Sequence, residues 1–593
     1  MKATTLLGLL PLVRPSLGRE EAADYIIVGA GTAGLVLANR LSEDPSVTVT
    51  VIEPGADERN NINVTGTDKF SLAFNTHIDW QYSTVNQPRA NNRSLPLHQG
   101  KAWGGTSTIN GMTYIRGNKL EFDLWSHLGN PGWTWSTLLP YFIKSENYTL
   151  PTPSQLDAGA TYQPQNHGFS GPLHVGYPAA LHNGSFAPLI LGAWDDMSAS
   201  LAHNADLNSG DVHGFGMGPQ TLDGREDVRY DSARAYYHPV EHRGNLRIVR
   251  GTVRRILWGD GGGKGGRELL RANGVEFVTD QGAVQRMRVG KEVIVSAGGV
   301  RSPLVLEASG IGNRRILESL GIETLVDLPG VGENLGGQSA HIIVFSGEME
   351  ASASAYHTHV TAAELFGANL ESVRNATRES IPRWAKDMAR GSRNALSPEA
   401  LEKQFRLQYD LIFKHNVTPA EVITVSAPGG IMVSNYYAIL PFSRGSVHLG
   451  GLDQIDKPVI DPGVFSADFD IAATTAIGRM AQRFWLSDHI RPLVTAQLVP
   501  DASALPENAT DAQWLAHLRQ SLDMAAHPRG SAAMMSRELG GVVDPELRVY
   551  GTANVRVVDA SVIPMPISGH MSAAVYAVAE KAADIIKQNS KGQ

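Results

Sequence analysis

A glycine-spaced turn near the N-terminus constrains the fold of this chain more than any other feature. The segment DYIIVGAGTAGLVLANRLSEDPSVTVTVIEPG has an apolar run at 25–28, helical spacing of apolar residues at 35–41 and β-branched residues at 47–52. This order predicts a strand, a tight turn, a helix and a second strand, which together form one βαβ unit. The sequence therefore predicts an α/β fold that begins with a nucleotide-binding sheet.

The turn has the spacing Gly-x-Gly-x-x-Gly, between strand and helix as a dinucleotide-binding site requires. Its first glycine permits the tight turn, the second lets backbone approach a pyrophosphate, and the third permits close packing of helix on strand. Glu53 ends the second strand nineteen residues after the third glycine, where an acid can bind ribose hydroxyls and disfavours a 2′-phosphate. These features alone do not choose between NAD and FAD. The predicted dinucleotide site comprises Gly29, Gly31, Thr32, Ala33, Gly34 and Glu53.

The composition is that of an ordinary globular enzyme and excludes several classes of function. Of 593 residues, 42% are hydrophobic and 19% are charged, which is typical of a folded chain with more than one structural unit. The net charge of −8 gives no basic surface for nucleic acid, and no stretch reaches the roughly 18 to 20 apolar residues of a membrane span. Because cysteine is absent, disulfides, cysteine-bound metals and a thiol nucleophile are excluded.

The N-terminus and a set of sequons indicate the secretory pathway. Residues 1–18 combine one lysine, a short apolar run and small residues near Gly18, as a signal peptide does. We expect a secreted glycoprotein, located outside the cell, in the cell wall or in a vesicle or vacuole. The candidate glycosylation sites are Asn63, Asn92, Asn147, Asn183, Asn375, Asn416 and Asn508.

The remaining chain alternates between sheet-like and helical patterns. Residues 245–258 and 267–280 read as strands on either side of a glycine-rich turn, which predicts a flexible hairpin tip. A second strand-to-helix crossing follows in KEVIVSAGGVRSPLVLEASGIG. From about 350 to 420 the pattern is helical and charged, and strand-like pieces return at 421–450. This central stretch has no nucleotide motif and is expected to belong to a substrate domain.

Two histidines forty-three residues apart, His527 and His570, are the candidate catalytic groups. An imidazole with a pKa near neutrality can accept an alcohol proton while hydride leaves for a redox cofactor, and a second imidazole can bind the same oxygen. No G-x-S-x-G nucleophile elbow supports a serine hydrolase. The two histidines also lack a metal-ligand spacing such as H-E-x-x-H, so no metal is expected.

Several further motifs resemble those of the glucose–methanol–choline (GMC) flavoenzymes. GKAWGGTSTINGMTYIRG at 100–117 resembles the first family signature, and GGVRSPLVLEASGIG at 298–312 resembles the second. PGVGENL at 329–335, VRVVDASVIP at 555–564 and the two histidines complete the pattern. In family order these pieces run from residue 24 to about 587, so the resemblance covers nearly the whole mature chain.

The resemblance implies a two-part architecture, similar to that of p-hydroxybenzoate hydroxylase. A discontinuous Rossmann-like FAD-binding domain is expected over 19–75, 95–185, 245–335 and 530–593. A substrate-binding α+β domain is expected over 76–94, 186–244 and 336–529.

The resemblance also implies FAD as the cofactor and names residues that hold it. Ile109 stands where some members carry the histidine that links the flavin covalently, so non-covalent FAD is expected. Trp103 replaces a small aliphatic residue before the glycine pair; it stacks near the cofactor or is a bulky core residue. The cofactor residues added by the resemblance are Trp103, Thr106, Asn110, Gly111, Met112, Thr113, Val253, Asp559 and Ala560.

The expected reaction is oxidation of a small-molecule alcohol by hydride transfer to flavin N5, with oxygen or another acceptor reoxidising the flavin. The chain looks most similar to fungal glucose oxidases and FAD-dependent glucose dehydrogenases, and to secondary-metabolite members such as patulin synthase. Glucose-acting members place an arginine and an asparagine where this chain has Asp523 and Ala525. A stranded polar group costs about 1–3 kcal/mol, so a less polar, aromatic or polyketide-derived alcohol is expected rather than glucose.

Three alternatives stay open at this point. One is a non-redox cyclase of the same fold, similar to versicolorin B synthase, and another is a sugar dehydrogenase or oxidase. A flavin-binding protein without catalysis is the third. The sequence gives neither the oligomeric state nor which histidine takes the proton.

Overall fold

The computed structural model describes residues 21–68, 70–181, 184, 186–197, 200–259, 269–352, 354–452 and 455–591. The expected signal peptide at 1–18, the sequon at Asn183 and most of the glycine-rich turn after residue 258 lie outside these residues. Among the described residues, no helix is long and apolar enough to cross a membrane.

Fourteen α-helices are found in the part of the chain that the structure describes. They are α1 (Thr32–Leu41), α2 (Ile62–Thr65), α3 (Lys119–His127), α4 (Trp135–Ser145), α5 (Pro153–Asp157), α6 (Phe186–Met197), α7 (Gly298–Ala308), α8 (Arg314–Ser319), α9 (Ala362–Phe366), α10 (Leu370–Gly391), α11 (Pro398–Phe413), α12 (Asp468–Trp485), α13 (Asp511–Ser521) and α14 (Met571–Lys591).

The same described ranges contain 24 strands. They are β1 (Ala22–Val28), β2 (Val49–Glu53), β3 (Tyr82–Ser83), β4 (Pro96–Leu97), β5 (Glu146–Tyr148), β6 (Leu173–Val175), β7 (Gly214–Met217), β8 (Leu222–Asp223), β9 (Val228–Arg229), β10 (Leu246–Arg250), β11 (Thr252–Trp258), β12 (Ala272–Val278), β13 (Val284–Val295), β14 (Ile311–Gly312), β15 (Val326–Asp327), β16 (Ser339–Gly347), β17 (Tyr356–Val360), β18 (Ala420–Ala427), β19 (Ile431–Ala438), β20 (Ser446–His448), β21 (Val459–Asp461), β22 (Val494–Val499), β23 (Asp523–Met524) and β24 (Val555–Val557).

The first large sheet has the order β10-β2-β1-β13-β12-β11, with β24 also paired to β13. Strands β10, β2, β1, β13 and β24 run parallel, and α1 makes the crossover between β1 and β2. The apolar runs of these strands are buried on both faces, as parallel sheets require. The prediction of an α/β fold built on a Rossmann-like unit is confirmed.

The stretch predicted as a strand at 245–258 is two strands in the structure. Leu246–Arg250 extends the parallel part of the sheet beside β2, whereas Thr252–Trp258 forms an antiparallel pair with β12. Gly251 separates them, and a Cβ atom there would lie 2.7 Å from the ring of Phe277. The chain therefore changes partner at a position where only glycine fits.

The second large sheet is antiparallel and has the order β22-β16-β19-β18-β17-β7, with β23 paired to β16. Helix α12 packs on one face, where the indole of Trp485 donates to Ser434 of β19. The sequence predicts a helical region at 350–420, and helices α10 and α11 confirm this prediction for most of it. The prediction is wrong at the start of the region, which contains the strand β17. Its residues are buried between β7 and β18, so sheet pairing decides their conformation.

Candidate active site

A cavity of about 540 Å³ is lined by residues of both large sheets and of the loops between them. This volume lies within the usual range of cofactor and ligand sites. The cavity brings together fourteen residues that sequence patterns and resemblance singled out. They are Gly29, Gly31, Thr32, Glu53, Thr106, Asn110, Gly111, Met112, Thr113, Val253, His527, Asp559, Ala560 and His570.

Three predicted site residues stand outside this lining. Ala33 is buried in the first turn of α1, and Gly34 packs against the strand: a Cβ atom on Gly34 would lie 2.1 Å from the carbonyl oxygen of Gly29. Trp103 packs edge-on against Tyr237, with ring centroids 5.1 Å apart. Gly34 thus acts in helix–strand packing, and Trp103 takes the bulky core position rather than a place in the cavity wall.

The dinucleotide turn has the geometry that its glycines require. Gly29 has a φ of +106°, and a Cβ atom there would lie 2.6 Å from the carbonyl oxygen of Ser296. Gly105 of the second glycine-rich loop packs on Gly31, since a Cβ atom on Gly105 would lie 2.7 Å from the Gly31 Cα. Two backbone segments therefore meet at the start of α1, where amide N–H groups and the helix dipole favour a phosphate.

Glu53 lines the cavity at the end of β2, where a ribose would bind. Its carboxylate accepts hydrogen bonds from the backbone N–H groups of Ala30, at 2.9 Å, and Gly55, at 2.7 Å. Burial raises the pKa of this carboxyl, and the two backbone donors oppose that rise. A carboxylate has about four acceptor sites, so hydroxyl groups of a ligand can share it.

The loop at 100–117 ties the cofactor end of the cavity to the catalytic end. Thr106 donates to the Gln99 side chain, and Gln99 donates in turn to the carbonyl oxygen of Ala526, next to His527. The Asn110 side chain accepts from Arg229 at 2.7 Å. Ile109 is buried and offers no nucleophile, so the expectation of non-covalent FAD stays consistent with its position.

Asp559 lines the cavity, and its carboxylate is engaged in hydrogen bonds within the protein. The two oxygens accept from Gly298 N–H, from the Ser302 and Ser561 hydroxyls and from Ser561 N–H. The side chain therefore joins the start of α7 to the 555–564 segment and shapes the wall that faces the cavity.

His527 is held in a loop that is attached on both sides to the segment before β16. The N–H of Ala525 donates to the Gln338 carbonyl at 3.0 Å, and the N–H of Gly336 donates to the Arg529 carbonyl at 2.9 Å. Between these contacts, His527 Nδ1 lies 2.7 Å from the Gln338 side-chain oxygen Oε1. The Gln338 amide nitrogen donates to the Ile439 carbonyl, so oxygen is the atom that faces the imidazole.

This contact determines the tautomer of His527. An amide oxygen only accepts, so Nδ1 carries the proton and Nε2 keeps a free lone pair. Burial, together with the nearby His570, lowers the pKa of His527 well below its ordinary value. His527 is therefore a neutral imidazole with one nitrogen available as a base.

His570 lies across the cavity from His527, with ring centroids 5.8 Å apart and planes nearly perpendicular. Gly569 before it touches the backbone of Arg116, where a Cβ atom would lie 2.4 Å from the Arg116 carbonyl carbon. The His570 Nε2 donates to Glu421 Oε1 at 3.2 Å, and the Tyr437 hydroxyl donates to Glu421 Oε2 at 2.5 Å. The ring of His570 is therefore fixed by a buried carboxylate on β18.

Two histidines of β17, His357 and His359, also lie close to the Glu421 carboxylate. His357 Nδ1 donates to Glu421 Oε1 at 2.8 Å, and His359 Nε2 lies 3.4 Å from the same oxygen. Burial favours a raised pKa for Glu421, but the charge and hydrogen bonds of His570 and the other imidazoles hold it well below the usual value. Burial lowers the pKa of His357, and that of His359 to about 4.

The side chains of Gln338, Glu421 and Tyr437 were not among the residues predicted from sequence. One signal was available: Glu421 is the only charged residue of β18, and His357 and His359 are spaced to share one strand face. The ligand atoms of His357, Glu421 and His570 lie within 4.8 Å of one another, a spacing that metal ligands also show. Hydrogen bonds to one carboxylate account for this grouping.

Comparison with known proteins agrees with this geometry. Residues 23–340 match the N-terminal family model described as GMC oxidoreductase, and residues 441–579 match the C-terminal one. The chain belongs to the GMC oxidoreductase family. Like other GMC oxidoreductases, it is an FAD-dependent enzyme that acts on CH–OH groups.

Three relatives illustrate the range of the likeness. This GMC oxidoreductase is 59% identical to the glucose oxidase-like protein fsoC of Humicola fuscoatra, over 97% of both chains. It is 30% identical to the solved FAD-dependent oxidoreductase of Chaetomium thermophilum, with a TM-score of 0.85 over 96% of this chain and 100% of the other. A fungal aryl-alcohol oxidase structure has 25% identity and a TM-score of 0.82, over 97% and 100% of the two chains.

The residues present fit FAD. The backbone amides of Gly31 and Thr32 are available to the pyrophosphate, because those of Gly29 and Ala30 donate to Ile52 and Glu53. Glu53 is available to the ribose, and the wall around Val253 to the adenine. The other end of the cavity, with His527 and His570, is free for the flavin ring and an alcohol. Gly111 lines the cavity, and a Cβ atom built there would meet nothing within 4 Å, so this position leaves room for a bound cofactor.

Proposed function

We propose that this GMC oxidoreductase oxidises a weakly polar, aromatic or polyketide-derived alcohol, with His527 as the base. FAD, when bound, supplies the hydride acceptor. The observation that carries the proposal is the contact between His527 and Gln338, which leaves Nε2 unprotonated beside His570. Binding without catalysis would not require this fixed tautomer.

The proton transfer follows from the state of His527. The hydroxyl of an alcohol placed between the imidazoles donates to Nε2 of His527, and the His570 ring, fixed by Glu421, lies on the other side of the alcohol. An imidazole with a lowered pKa is a weak base toward a ground-state alcohol. As hydride leaves the carbon, the same hydroxyl becomes strongly acidic, so a weak but correctly oriented base suffices.

The walls near the histidines support a weakly polar substrate. Ala340, Ile423 and Met524 line this end of the cavity, together with the Phe74 ring, which stacks on His98 at 4.2 Å. Asp523 is exposed at its edge. The side chains of Ala340, Ile423, Met524 and Phe74 form no hydrogen bonds with a polyhydroxylated sugar, so sugar hydroxyls placed against them would be unpaired at about 1–3 kcal/mol each.

Anaerobic mixing with candidate alcohols tests the reaction. We expect bleaching of the flavin absorbance with primary aryl alcohols and little with glucose. Product formation without bleaching would instead support the cyclase alternative, and fast reduction by glucose would refute the substrate class.

Substitution of the base tests the role of His527. The variant His527→Ala is expected to lose about 10²- to 10⁴-fold in the rate of flavin reduction, the usual contribution of a general base. His415→Ala, which changes an exposed histidine after α11, serves as the control and should match the wild type. An unchanged rate in His527→Ala would remove this residue from the mechanism.

We infer further that the protein is a secreted glycoprotein of fungal secondary metabolism. Support comes from the exposed positions of four sequon asparagines, Asn92, Asn375, Asn416 and Asn508. Expression in a fungal host, followed by enzymatic removal of N-glycans, should lower the mass of protein recovered from the medium. Protein retained in the cells, without a mass change, would contradict this inference.

A further inference from the structure

The floor of the catalytic end of the cavity is one face of the antiparallel sheet. Side chains alternate between faces, so Glu421 and Ile423 of β18 share a face with Asn435 and Tyr437 of β19. Ile423, Asn435 and Tyr437 line the cavity. The opposite face, with Ser434 and its neighbours, is covered by α12 instead.

The register of the strands arranges this face in rows. The first row pairs Tyr437 with Glu421, next to the catalytic imidazoles. The second row runs Ile342, Asn435, Ile423 across β16, β19 and β18. The rows are about 7 Å apart, because alternate residues of a strand are separated by two rises.

The third row is entirely apolar and is only partly buried by the residues that the structure describes. It runs Val344, Val433, Val425 across the same three strands. All three valines are half-buried, and Ile342 in the row before them is 41% exposed. The polarity of the face therefore falls steadily with distance from the imidazoles.

Asn435 is the polar group between the reacting end and the valine row. Its side-chain amide faces the cavity and makes no hydrogen bond to any residue that the structure describes. Its cross-strand neighbours, Ile342 and Ile423, are apolar. An amide in this setting is available to a hydrogen-bonding group of a ligand.

We propose that this sheet face selects an elongated alcohol, and the proposal rests on the alcohol oxidation proposed above. The carbinol lies at the histidines, a hydrogen-bonding group about one row away meets Asn435, and an apolar arm lies over Ile342 and the valine row. A small molecule is the occupant we favour because the face continues directly from the reacting end of the cavity. The few half-buried side chains of this face expose an apolar surface area far smaller than the roughly 800 Å² that each partner buries in a stable protein interface.

A series of para-alkoxybenzyl alcohols, from methoxy to hexyloxy, tests the apolar arm. Specificity is measured as kcat/KM from flavin reduction and turnover. Full burial of a methylene gives roughly a four-fold rise in kcat/KM, and because this face only partly covers the arm, we expect a rise of about two-fold per methylene. Ile342→Asp places a charge on the face and should flatten the rise. Leu150→Asp changes an apolar residue outside this sheet that is 53% exposed, and it should keep the wild-type slope.

A matched pair of alcohols tests Asn435. The para-propoxy compound carries an ether oxygen that the para-butyl compound lacks, at nearly equal length. The ratio of kcat/KM for the propoxy compound to that for the butyl compound should fall about five-fold, the value of one hydrogen bond, in Asn435→Leu; the electronic effect of the ether is the same in both enzymes and cancels.

The possible outcomes distinguish a failure of this proposal from a failure of the proposed alcohol oxidation on which it rests. Reduction of the flavin by the methoxy compound, without a rise along the series, overturns the elongated-substrate proposal and leaves alcohol oxidation standing. Reduction by no member of the series removes both. A change of oligomeric state in Ile342→Asp with an unchanged slope would assign the face to a second copy of the chain and also overturn the proposal.

Discussion

The hydrogen bond between His527 and Gln338 makes a specific prediction about catalysis. Replacing Gln338 with leucine keeps most of the volume but removes the acceptor for His527 Nδ1–H. The imidazole then has no partner that distinguishes its tautomers, and the one with the proton on Nε2 cannot accept the substrate proton. We therefore expect the rate of flavin reduction to fall, whereas FAD stays bound.

The size of the effect follows from the cost of an unpaired buried donor. That cost is about 1–3 kcal/mol, which corresponds to a loss of about five- to 150-fold in the rate constant. Gln338→Glu keeps an acceptor and adds a negative charge beside the ring, so it raises the pKa of His527. Because the base must be unprotonated, the acid limb of the pH–rate profile should move to higher pH in this variant.

Anaerobic stopped-flow reduction of the flavin by an aryl alcohol measures both effects. Gln482→Leu is the matched control: Gln482 is 2% exposed, donates to the Leu505 carbonyl and lies outside the cavity wall. This control should lose stability but reduce its flavin at the wild-type rate. Wild-type reduction by Gln338→Leu would show that Gln338 does not determine the state of the base.

Two further predictions concern stability and cofactor binding. Burial opposes the charge on His448, but hydrogen bonds to Glu307 and Glu333 raise its pKa to about 10. The melting temperature should therefore fall as pH rises from about 6.5, the unfolded pKa, toward 10, and His448→Gln should flatten this dependence. A Cβ atom at position 34 would lie 2.1 Å from a backbone oxygen, so Gly34→Ala should be purified with little FAD, whereas Gly244→Ala, with open space around it, should keep its flavin.

The nucleotide-binding half of the molecule could be predicted well from the sequence because its determinants are local. Gly29, Gly31 and Gly34 stand within six residues, and the strands on either side have simple apolar patterns. Local patterns predicted the structure less well where one continuous stretch of sequence forms two separate strands of the sheet. The break at Gly251 shows this, because the change of partner depends on Phe277, which lies on another strand.

The catalytic end was only partly predictable, for a physical reason. The two histidines were recognised, but the groups that determine their states are distant in sequence: Gln338 is 189 residues from His527, and Glu421 is 149 residues from His570. Which residues meet across such separations depends on strand register, and the pattern of a single strand does not specify it. Trp103 illustrates the same limit, because its packing partner Tyr237 is distant in sequence and only the folded chain brings the two rings together.

The states of the two catalytic histidines therefore depend on contacts between their loops and the antiparallel sheet. His527 and His570 lie on loops that line the same cavity as the residues expected to hold FAD, whereas Gln338, Glu421 and Tyr437 come from the antiparallel sheet or the segment entering it. A slip of one residue in β18 would turn Glu421 toward the face covered by α12 and leave His570 without its carboxylate. Changes farther along the same strands, at the isoleucine and valine rows, keep that register. Substrate preference can thus change along this face while the arrangement of the base and its partner is preserved.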